Sequence, residues 1–298
     1  MNPVFDENFP DPFVLHVGKT YYAYGTNGDE GNVQTLHSQD LVHWRRDADA
    51  LPELGPWALP GKTWAPEVLR RSDGRYVLYY TAANQDPALQ CVGRAVGTRP
   101  DGPFADRSRE PLVCQTAQGG SIDASPFVDR GRLYLLWKND GNCCGKDTFI
   151  YSQRLASDGL RLVGPRVRLV RQDAPWEGPL VEAPTLWKQA GSYLLFFSAN
   201  AYYNASYAVG YARCRSPLGP CRDAAENPIL KTRCRAVGPG HASLVRDADG
   251  RTWIVYHAWP PDAVGSEFPG RVVWLDRVTF ESGKPHVHGP TCGPQEAP

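Results

Sequence analysis

One sequence pattern recurs five times along this 298-residue chain. Each copy has a small residue followed by Pro or Ser, a few mostly apolar residues, a polar turn that often contains Gly, and an aromatic-rich run. The copies begin at Asp11, Ala65, Ser125, Ala183 and Ala242. Their second residues lie 54 to 60 positions apart, so five periods account for nearly the whole chain. A period of this size is typical of a repeat architecture.

Each copy has the pattern of a β-hairpin. Asp73-Gly74 separates the apolar residues of the second copy from the run Tyr76-Val77-Leu78-Tyr79-Tyr80. Asp-Gly between two such runs is a strong hairpin signal. The rest of each period is long enough for two more strands, as in residues 91–96 and 207–212.

Four strands repeated five times predict an all-β fold. The specific prediction is a five-bladed β-propeller, each blade a four-stranded antiparallel sheet, in a single domain over residues 1–298. A two-sheet sandwich is the competing architecture, but it does not explain the regular period. The long, Pro-rich connections between blades, such as residues 46–63, are predicted to carry specificity.

Composition and charge agree with this fold and exclude some partners. Gly 29 and Pro 27 together exceed average usage and disfavour a mostly helical chain. Formal net charge is zero and no block of like charge occurs, so neither a nucleic-acid partner nor a membrane partner is expected. Residues 189–212 carry no formal charge, but Asn and Ser interrupt them and they alternate like strands, which argues against a membrane helix.

The eight cysteines favour disulfides in an exported protein, because no C-x-x-C spacing suggests a zinc or thioredoxin-type site. We therefore expect a secreted protein whose signal peptide is absent from this chain, rather than a cytoplasmic one. Two pairs are close enough in sequence to close local loops, Cys91 with Cys114 and Cys214 with Cys221. The adjacent Cys143 and Cys144 could bond to each other or to separate partners.

Residues just before each repeat are the candidate site, since the first strand of each propeller blade lines the central axis. They are Asp11, Trp64, Asp123, Glu182 and His241. Singly, such acidic residues are more often solvated turn residues, and a lone His is more often structural. Carboxylates gathered at an axis repel one another, however, so a cluster indicates a working site. A carboxylic acid that protonates a leaving oxygen and a carboxylate that activates water are the groups of an inverting glycosidase.

Five motifs in order together resemble glycoside hydrolase family 43 over essentially the whole chain. They are Phe9-Pro10-Asp11-Pro12, Thr63-Trp64-Ala65-Pro66-Glu67-Val68, Ser121-Ile122-Asp123-Ala124-Ser125-Pro126-Phe127-Val128-Asp129, Val181-Glu182-Ala183-Pro184 and Gly238-Pro239-Gly240-His241. The resemblance implies a five-bladed fold and hydrolysis of furanosides or xylosides with inversion. It implies that Asp11 is the general base, that Glu182 is the general acid, and that Asp123 raises the pKa of the acid and orients it.

The same resemblance assigns further site residues. Trp64 is expected to form an apolar wall for a sugar face, although a core Trp is an equal alternative, and Ile122 and Arg271 are expected to contact substrate. His241 matches an axial histidine that sits beside a bound calcium. Because imidazole is not a typical calcium ligand, a contact through water is expected. No cofactor is expected to be required for the chemistry.

The substrate is indicated by residues 137–145 and 176–178. They resemble the branch of exo-acting α-L-arabinofuranosidases, which implies release of L-arabinofuranose from α-1,5-linked plant cell-wall arabinan or arabino-oligosaccharides. A monomer is expected. Endo-arabinanase and β-xylosidase are the neighbouring alternatives. A carbohydrate-binding propeller without catalysis is the alternative from another class, against which the presence of all three carboxylates argues.

Overall fold

The structure, a computed structural model, describes residues 2–29, 31–85, 87–294 and 297–298. Within these residues, nineteen strands form five antiparallel sheets, which are the blades of a five-bladed propeller. Blade 1 has β1 (Phe13–Val17), β2 (Thr20–Gly25), β3 (Gln34–Ser38) and β4 (Arg45–Arg46). Blade 2 has β5 (Ala58–Arg70), β6 (Tyr76–Asn84) and β7 (Gln90–Gly97).

The other three blades have four strands each. Blade 3 has β8 (Ser121–Asp129), β9 (Arg132–Asn139), β10 (Phe149–Leu155) and β11 (Leu162–Arg171). Blade 4 has β12 (Val181–Gln189), β13 (Ser192–Ala199), β14 (Ala208–Cys214) and β15 (Cys221–Asp223). Blade 5 has β16 (Val237–Arg246), β17 (Thr252–Trp259), β18 (Val272–Glu281) and β19 (Lys284–Val287). Short 3₁₀ helices lie at Thr116–Gln118, Gly141–Cys144 and Pro175–Glu177.

The predicted hairpins are confirmed as the first two strands of each blade. In blade 2, Gly74 has a φ of 85° in the turn between β5 and β6, a conformation that glycine adopts without a Cβ clash. The uncharged stretch 189–212 forms β13 and most of β14, so the prediction against a membrane helix is confirmed. Across the described residues, every helix is too short or too polar to cross a bilayer.

Five hydrophobic cores hold the propeller together, one at each junction between neighbouring blades. The junction of blades 1 and 2, for example, packs Tyr24 against Leu78 and Tyr80. The ring closes where blade 5 meets blade 1, around Phe9, Trp253 and other buried residues. Because each blade buries both faces against its neighbours, the aromatic-rich hairpins supply all five cores.

At the same place in each blade, one non-glycine residue in or just before the innermost strand lies in the left-handed region. These residues are Asp11 (φ 58°), Ala65 (44°), Asp123 (57°), Ala183 (53°) and His241 (49°). The strand pairing shifts register next to the last four of them, so each marks a bulge. The bulges correct the repeat alignment: Ala124 and Ala242, rather than Pro126 and Ser243, are the equivalents of Pro12.

Blade 2 departs from the predicted four strands, because three strands are present among its described residues. In place of a fourth, isolated bridges join Val92 to Val113 and Val96 to Ala105 along the outer edge of β7. The connection predicted over residues 46–63 is also partly wrong, since β5 begins at Ala58, where it pairs with the end of β6.

The cysteines form disulfides at Cys91–Cys114, Cys143–Cys144, Cys214–Cys221 and Cys234–Cys292. The two local clips are thus confirmed, and the adjacent cysteines bond to each other.

Candidate active site

All seven predicted site residues line one cavity of about 530 Å³ at the axis of the propeller. They are Asp11, Trp64, Ile122, Asp123, Glu182, His241 and Arg271. Their side chains come from the innermost strands of all five blades and from the connection before β18. The structure therefore brings together every residue that the sequence assigned to the site, while the individual roles stay predictions.

The backbone N–H group of each of the five left-handed residues donates a hydrogen bond to a side chain near the axis. In four blades the acceptor is a side chain at the end of the second strand of the preceding blade: His257 for Asp11, Thr26 for Ala65, Thr81 for Asp123 and Ser198 for His241. In blade 4 the Ala183 N–H instead meets the carboxylate of Asp123 at 2.9 Å. Lys138 occupies the corresponding position of blade 3, opposite Ile122 in the strand pairing.

Asp11 is the most heavily bonded carboxylate of the site. Its Oδ1 lies 2.8 Å from Arg271 Nη1 and 3.2 Å from His241 Nδ1, and its Oδ2 accepts a hydrogen bond from the Thr26 hydroxyl at 2.5 Å. Burial alone would raise the pKa of Asp11, but the charges of Arg271, His241 and His257 outweigh it and hold that pKa well below its usual range. Asp11 is therefore held as a carboxylate, the form that a general base needs.

Asp123 is buried beside the predicted acid. Burial is the main cause that raises its pKa to about 6; His241 and Lys138 oppose the rise, and Glu182 and Asp11 add to it. The bond from the Ala183 N–H fixes the backbone immediately after Glu182. The Asp123 carboxylate is thus hydrogen-bonded to the backbone beside Glu182.

Glu182 is held by two donors that sequence reasoning missed. Its Oε1 accepts a hydrogen bond from the Tyr207 hydroxyl at 2.7 Å, and its Oε2 accepts one from Lys138 Nζ at 3.1 Å. Lys138 is completely buried and also donates to Asn142 Oδ1 at 2.6 Å. A lysine inside the apolar run of β9 was the available signal, because lysine is almost never fully buried unless it is paired.

His241 and Glu67 complete the polar axis. Burial would lower the pKa of His241, but the carboxylates of Asp11, Asp123 and Glu182 raise it to about 9, so this histidine carries a proton. Burial raises the pKa of Glu67 to about 8, and the Ser125 hydroxyl and His241 only partly oppose the rise. Histidine binds metals in its neutral form, so the imidazolium does not fit as a direct calcium ligand. The water-mediated calcium contact stays a prediction.

The cavity walls are mostly aromatic and apolar. Trp64 and Ile122 face it from blades 2 and 3, and Tyr202 and Tyr203 face it from the connection after β13. The guanidinium of Arg271 lies 4.7 Å from the centroid of the Tyr202 ring, so Arg271 both pairs with Asp11 and stacks on the wall. Cys143 of the adjacent-cysteine disulfide also lines the cavity. Flat rings beside a few fixed polar groups suit the faces and hydroxyls of a sugar.

Known proteins that resemble this chain include glycoside hydrolases of solved structure and curated relatives. The crystal structure of a thermostable family-43 glycoside hydrolase has a TM-score of 0.90 and 32% identity, covering 100% of this chain and 98% of that one. The β-D-galactofuranosidase xynD of Aspergillus niger is 27% identical, covering 95% of this chain and 83% of its own length. The extracellular exo-α-(1→5)-L-arabinofuranosidase of Streptomyces chartreusis is 30% identical, covering 65% of this chain and 62% of its own length.

The family model described as "Glycosyl hydrolases family 43" matches residues 1–285. That range contains all five blades except the last two residues of β19 and every residue of the axial cavity. With the five-bladed fold and the axial carboxylates in place, the chain belongs to glycosyl hydrolases family 43.

Proposed function

We propose that this protein is an exo-acting, inverting α-L-arabinofuranosidase that releases L-arabinofuranose from α-1,5-linked arabinan or arabino-oligosaccharides. The observation that carries the proposal is the placement of Asp11, Asp123 and Glu182 in one cavity with different surroundings. Asp11 is ion-paired with Arg271 and stays ionised, whereas Asp123 and Glu182 are buried neighbours. Carboxyl groups in contrasting surroundings can divide into a base and an acid.

In the proposed reaction, Asp11 takes a proton from a water molecule as the water oxygen attacks the anomeric carbon. The glycosidic C–O bond breaks on the opposite face, and the leaving oxygen receives the proton of Glu182. The products are free L-arabinofuranose with inverted anomeric configuration and the arabinan chain shortened by one sugar. Proton exchange with solvent then returns Asp11 to the carboxylate and Glu182 to the acid.

The contacts of Glu182 select the oxygen that carries its proton. Lysine has only donors, so Oε2 stays an acceptor facing Lys138. The acidic proton belongs on Oε1, because the Tyr207 hydroxyl beside it can either donate or accept.

Three observations support the substrate. Residues 137–145, which resemble the exo-acting branch, supply Lys138, Asp140, Asn142 and Cys143 to the cavity wall. The Streptomyces relative is named for the proposed activity. The disulfides among the described cysteines fit an extracellular protein that meets plant cell-wall polysaccharide. We propose that the enzyme is secreted and acts as a monomer, with calcium at the axis in contact with His241 only through water.

Product analysis on linear arabinan tests the proposal. The expected outcome is L-arabinose alone from the first minutes, with proton NMR showing the inverted anomer first. Early oligosaccharides would instead indicate an endo-arabinanase, and turnover of aryl β-xyloside but not aryl arabinofuranoside would indicate a xylosidase. Sugar binding without turnover of any of these substrates would make the protein a carbohydrate-binding propeller.

Glu182→Gln tests the proposed role of Glu182 as the general acid. The variant should lose far more activity on arabino-oligosaccharides than on an activated aryl arabinofuranoside, because a good leaving group needs little protonation. Equal losses on both substrates would remove Glu182 from that role.

A further inference from the structure

Three carboxylates meet on the outer side of the junction between blades 3 and 4. Asp173 and Glu177 belong to the connection that leads to β12, and Asp223 is the last residue of β15. One oxygen from each lies within 4.8 Å of the other two. None of the three lines the axial cavity, so this cluster is separate from the proposed active site.

Glu177 has an unmet bonding requirement in this cluster. Its side chain is fully buried, and its Oε2 accepts backbone N–H bonds from Asp173 at 2.7 Å and Ala174 at 2.9 Å. Its Oε1 is buried without any hydrogen-bond partner. A buried carboxylate oxygen without a partner is costly, so the folded chain leaves a place here for a positively charged group.

Asp223 faces Glu177 within hydrogen-bond reach, but two ionised carboxylates have no donor to share. Asp223 accepts no hydrogen bond from an N–H donor and forms no ion pair within the described part of the chain; burial, the charges of Glu177 and Asp173, and the contact with Glu177 raise its pKa to about 7. Asp173 Oδ2 is 3.3 Å from Arg171 Nε, which leaves its second oxygen available. The cluster therefore holds three carboxylates with one guanidinium at its edge.

We propose that Asp173, Glu177 and Asp223 bind a divalent cation, for which calcium is the best match. Calcium takes six to eight oxygen ligands at about 2.3–2.6 Å, so ligands on opposite sides are about 5 Å apart. The 4.8 Å limit of the cluster fits that span. Every side-chain ligand is a carboxylate oxygen, and water fills the remaining positions. A half-open site of this kind should bind with a Kd of about 10⁻⁴ to 10⁻³ M, as in extracellular modules.

The cation would tie the connection before the acid strand to the outer edge of blade 4. That connection already contacts the residue after β13, because the Asn200 N–H donates to the Glu177 carbonyl at 2.9 Å. Further along it, Pro179 and Leu180 line the axial cavity. A bound cation would therefore stabilise the fold and one cavity wall without touching the reacting groups.

Calcium alone is the probe for the test, with the full chain and thermal unfolding after dialysis against a chelator. Calcium at about 10 mM should raise the Tm by about 4 to 8 °C, and magnesium should raise it less because it prefers a smaller octahedral site. Equilibrium dialysis of the wild type and Asp223→Asn should differ by one bound calcium per chain. In Asp158→Asn, which changes a half-buried carboxylate outside the cluster, the response should be unchanged.

Glu177→Gln gives a second, fold-preserving variant. Its amide oxygen can keep the two backbone N–H bonds, while its NH₂ group donates to Asp223 where the cation would lie. This variant should have a Tm that calcium does not change. If the wild type gains no stability from calcium, or if both cluster variants keep the full gain, no cation binds here. In that case Glu177 and Asp223 share a proton instead.

Discussion

The carboxylate of Asp123 accepts the backbone N–H of Ala183 at 2.9 Å, one residue after Glu182. At the other four left-handed residues, that N–H bonds to a side chain in or just after the second strand of the preceding blade, where blade 3 has Lys138 instead. In blade 3 the Lys138 ammonium therefore bonds to Glu182, and the Asp123 carboxylate accepts the backbone N–H in its place. One positive and one negative side chain thus lie beside the proposed acid.

Asp123→Asn removes the charge and can keep the backbone bond, since the amide oxygen still accepts from Ala183. Because the charge beside the proposed acid is lost, kcat at pH 7 on arabino-oligosaccharides should fall about 10- to 100-fold. An unchanged kcat would show that Asp123 acts through the backbone bond alone. Asp123→Ala, which loses both contributions, is the reference.

Lys138→Met should leave Oε2 of Glu182 without its buried donor, because the ammonium is the group that bonds it at 3.1 Å. As the proposed acid loses this contact, kcat on arabino-oligosaccharides should fall about 10- to 100-fold. Lys138→Gln keeps a donor for Oε2 without the charge and separates the two effects, with thermal melts as the check on folding. Equal losses in the two variants would assign the effect to the charge, and a loss confined to Lys138→Met would assign it to the hydrogen bond.

Most of the propeller could be predicted because each repeat has a local sequence pattern that is sufficient to identify its hairpin. Each hairpin has its own turn and its own aromatic run, so blade number follows from counting. The bulges could not be placed in the same way: the left-handed residue is Asp11 or His241 in some blades and Ala65 or Ala183 in others. Their positions depend on N–H contacts between blades. The missing strand of blade 2 has a different cause: the segment that directly follows β7 covers that edge through isolated bridges at Ala105 and Val113 instead of a continuous strand.

The site was predicted as far as it lies on the innermost strands. Asp11, Asp123 and Glu182 are found there because propeller topology brings these strands to one axis. Lys138 and Tyr207 lie on or next to other strands of blades 3 and 4, and only packing shows that both turn toward Glu182. Arg271 matched the family as a substrate contact, yet its shortest polar contact is with the proposed base.

Arg271→Met tests the electrostatic control of Asp11. Without the guanidinium, burial is opposed by fewer charges, so the pKa of Asp11 rises. Because the base must be ionised, the acid limb of kcat/KM should move up by about one to two pH units. Arg271→Lys keeps the charge but loses the planar stack on Tyr202, so it should mainly raise KM. If the acid limb stays in place in Arg271→Met, the limb reports another group.

Glu67→Gln should make the protein more stable at alkaline pH. The pKa of Glu67 is about 8 in the folded protein against an ordinary value of 4.5, so its stabilising contribution is complete below pH 4.5 and is lost as the pH rises to 8. Between those limits the wild type should lose up to about 1.4 kcal/mol per pH unit relative to the variant. Denaturant unfolding from pH 5 to 8 measures the difference. A constant difference would mean that Glu67 does not hold its proton in the folded state.

Breaking the Cys91–Cys114 disulfide should destabilise blade 2 selectively. This disulfide closes a loop with a sequence separation of 23 and anchors the segment that replaces the fourth strand, next to the Val92 N–H bond to the Val113 carbonyl at 2.9 Å. The double variant Cys91→Ala/Cys114→Ala should lose about 3 kcal/mol of unfolding free energy, because the unfolded chain regains the entropy of that loop.

Cys143→Ala/Cys144→Ala is the matched control, since a disulfide between adjacent residues, with a sequence separation of 1, constrains almost no loop. Its unfolding free energy should stay close to that of the wild type in the same denaturant titration. Hydrogen exchange should become faster along β7 in the first variant and stay unchanged there in the second. Equal losses of stability in the two variants would contradict the loop-closure argument. The stabilisation would then come from the packing of the sulfur atoms, and the edge of blade 2 would owe its order to its backbone bridges alone.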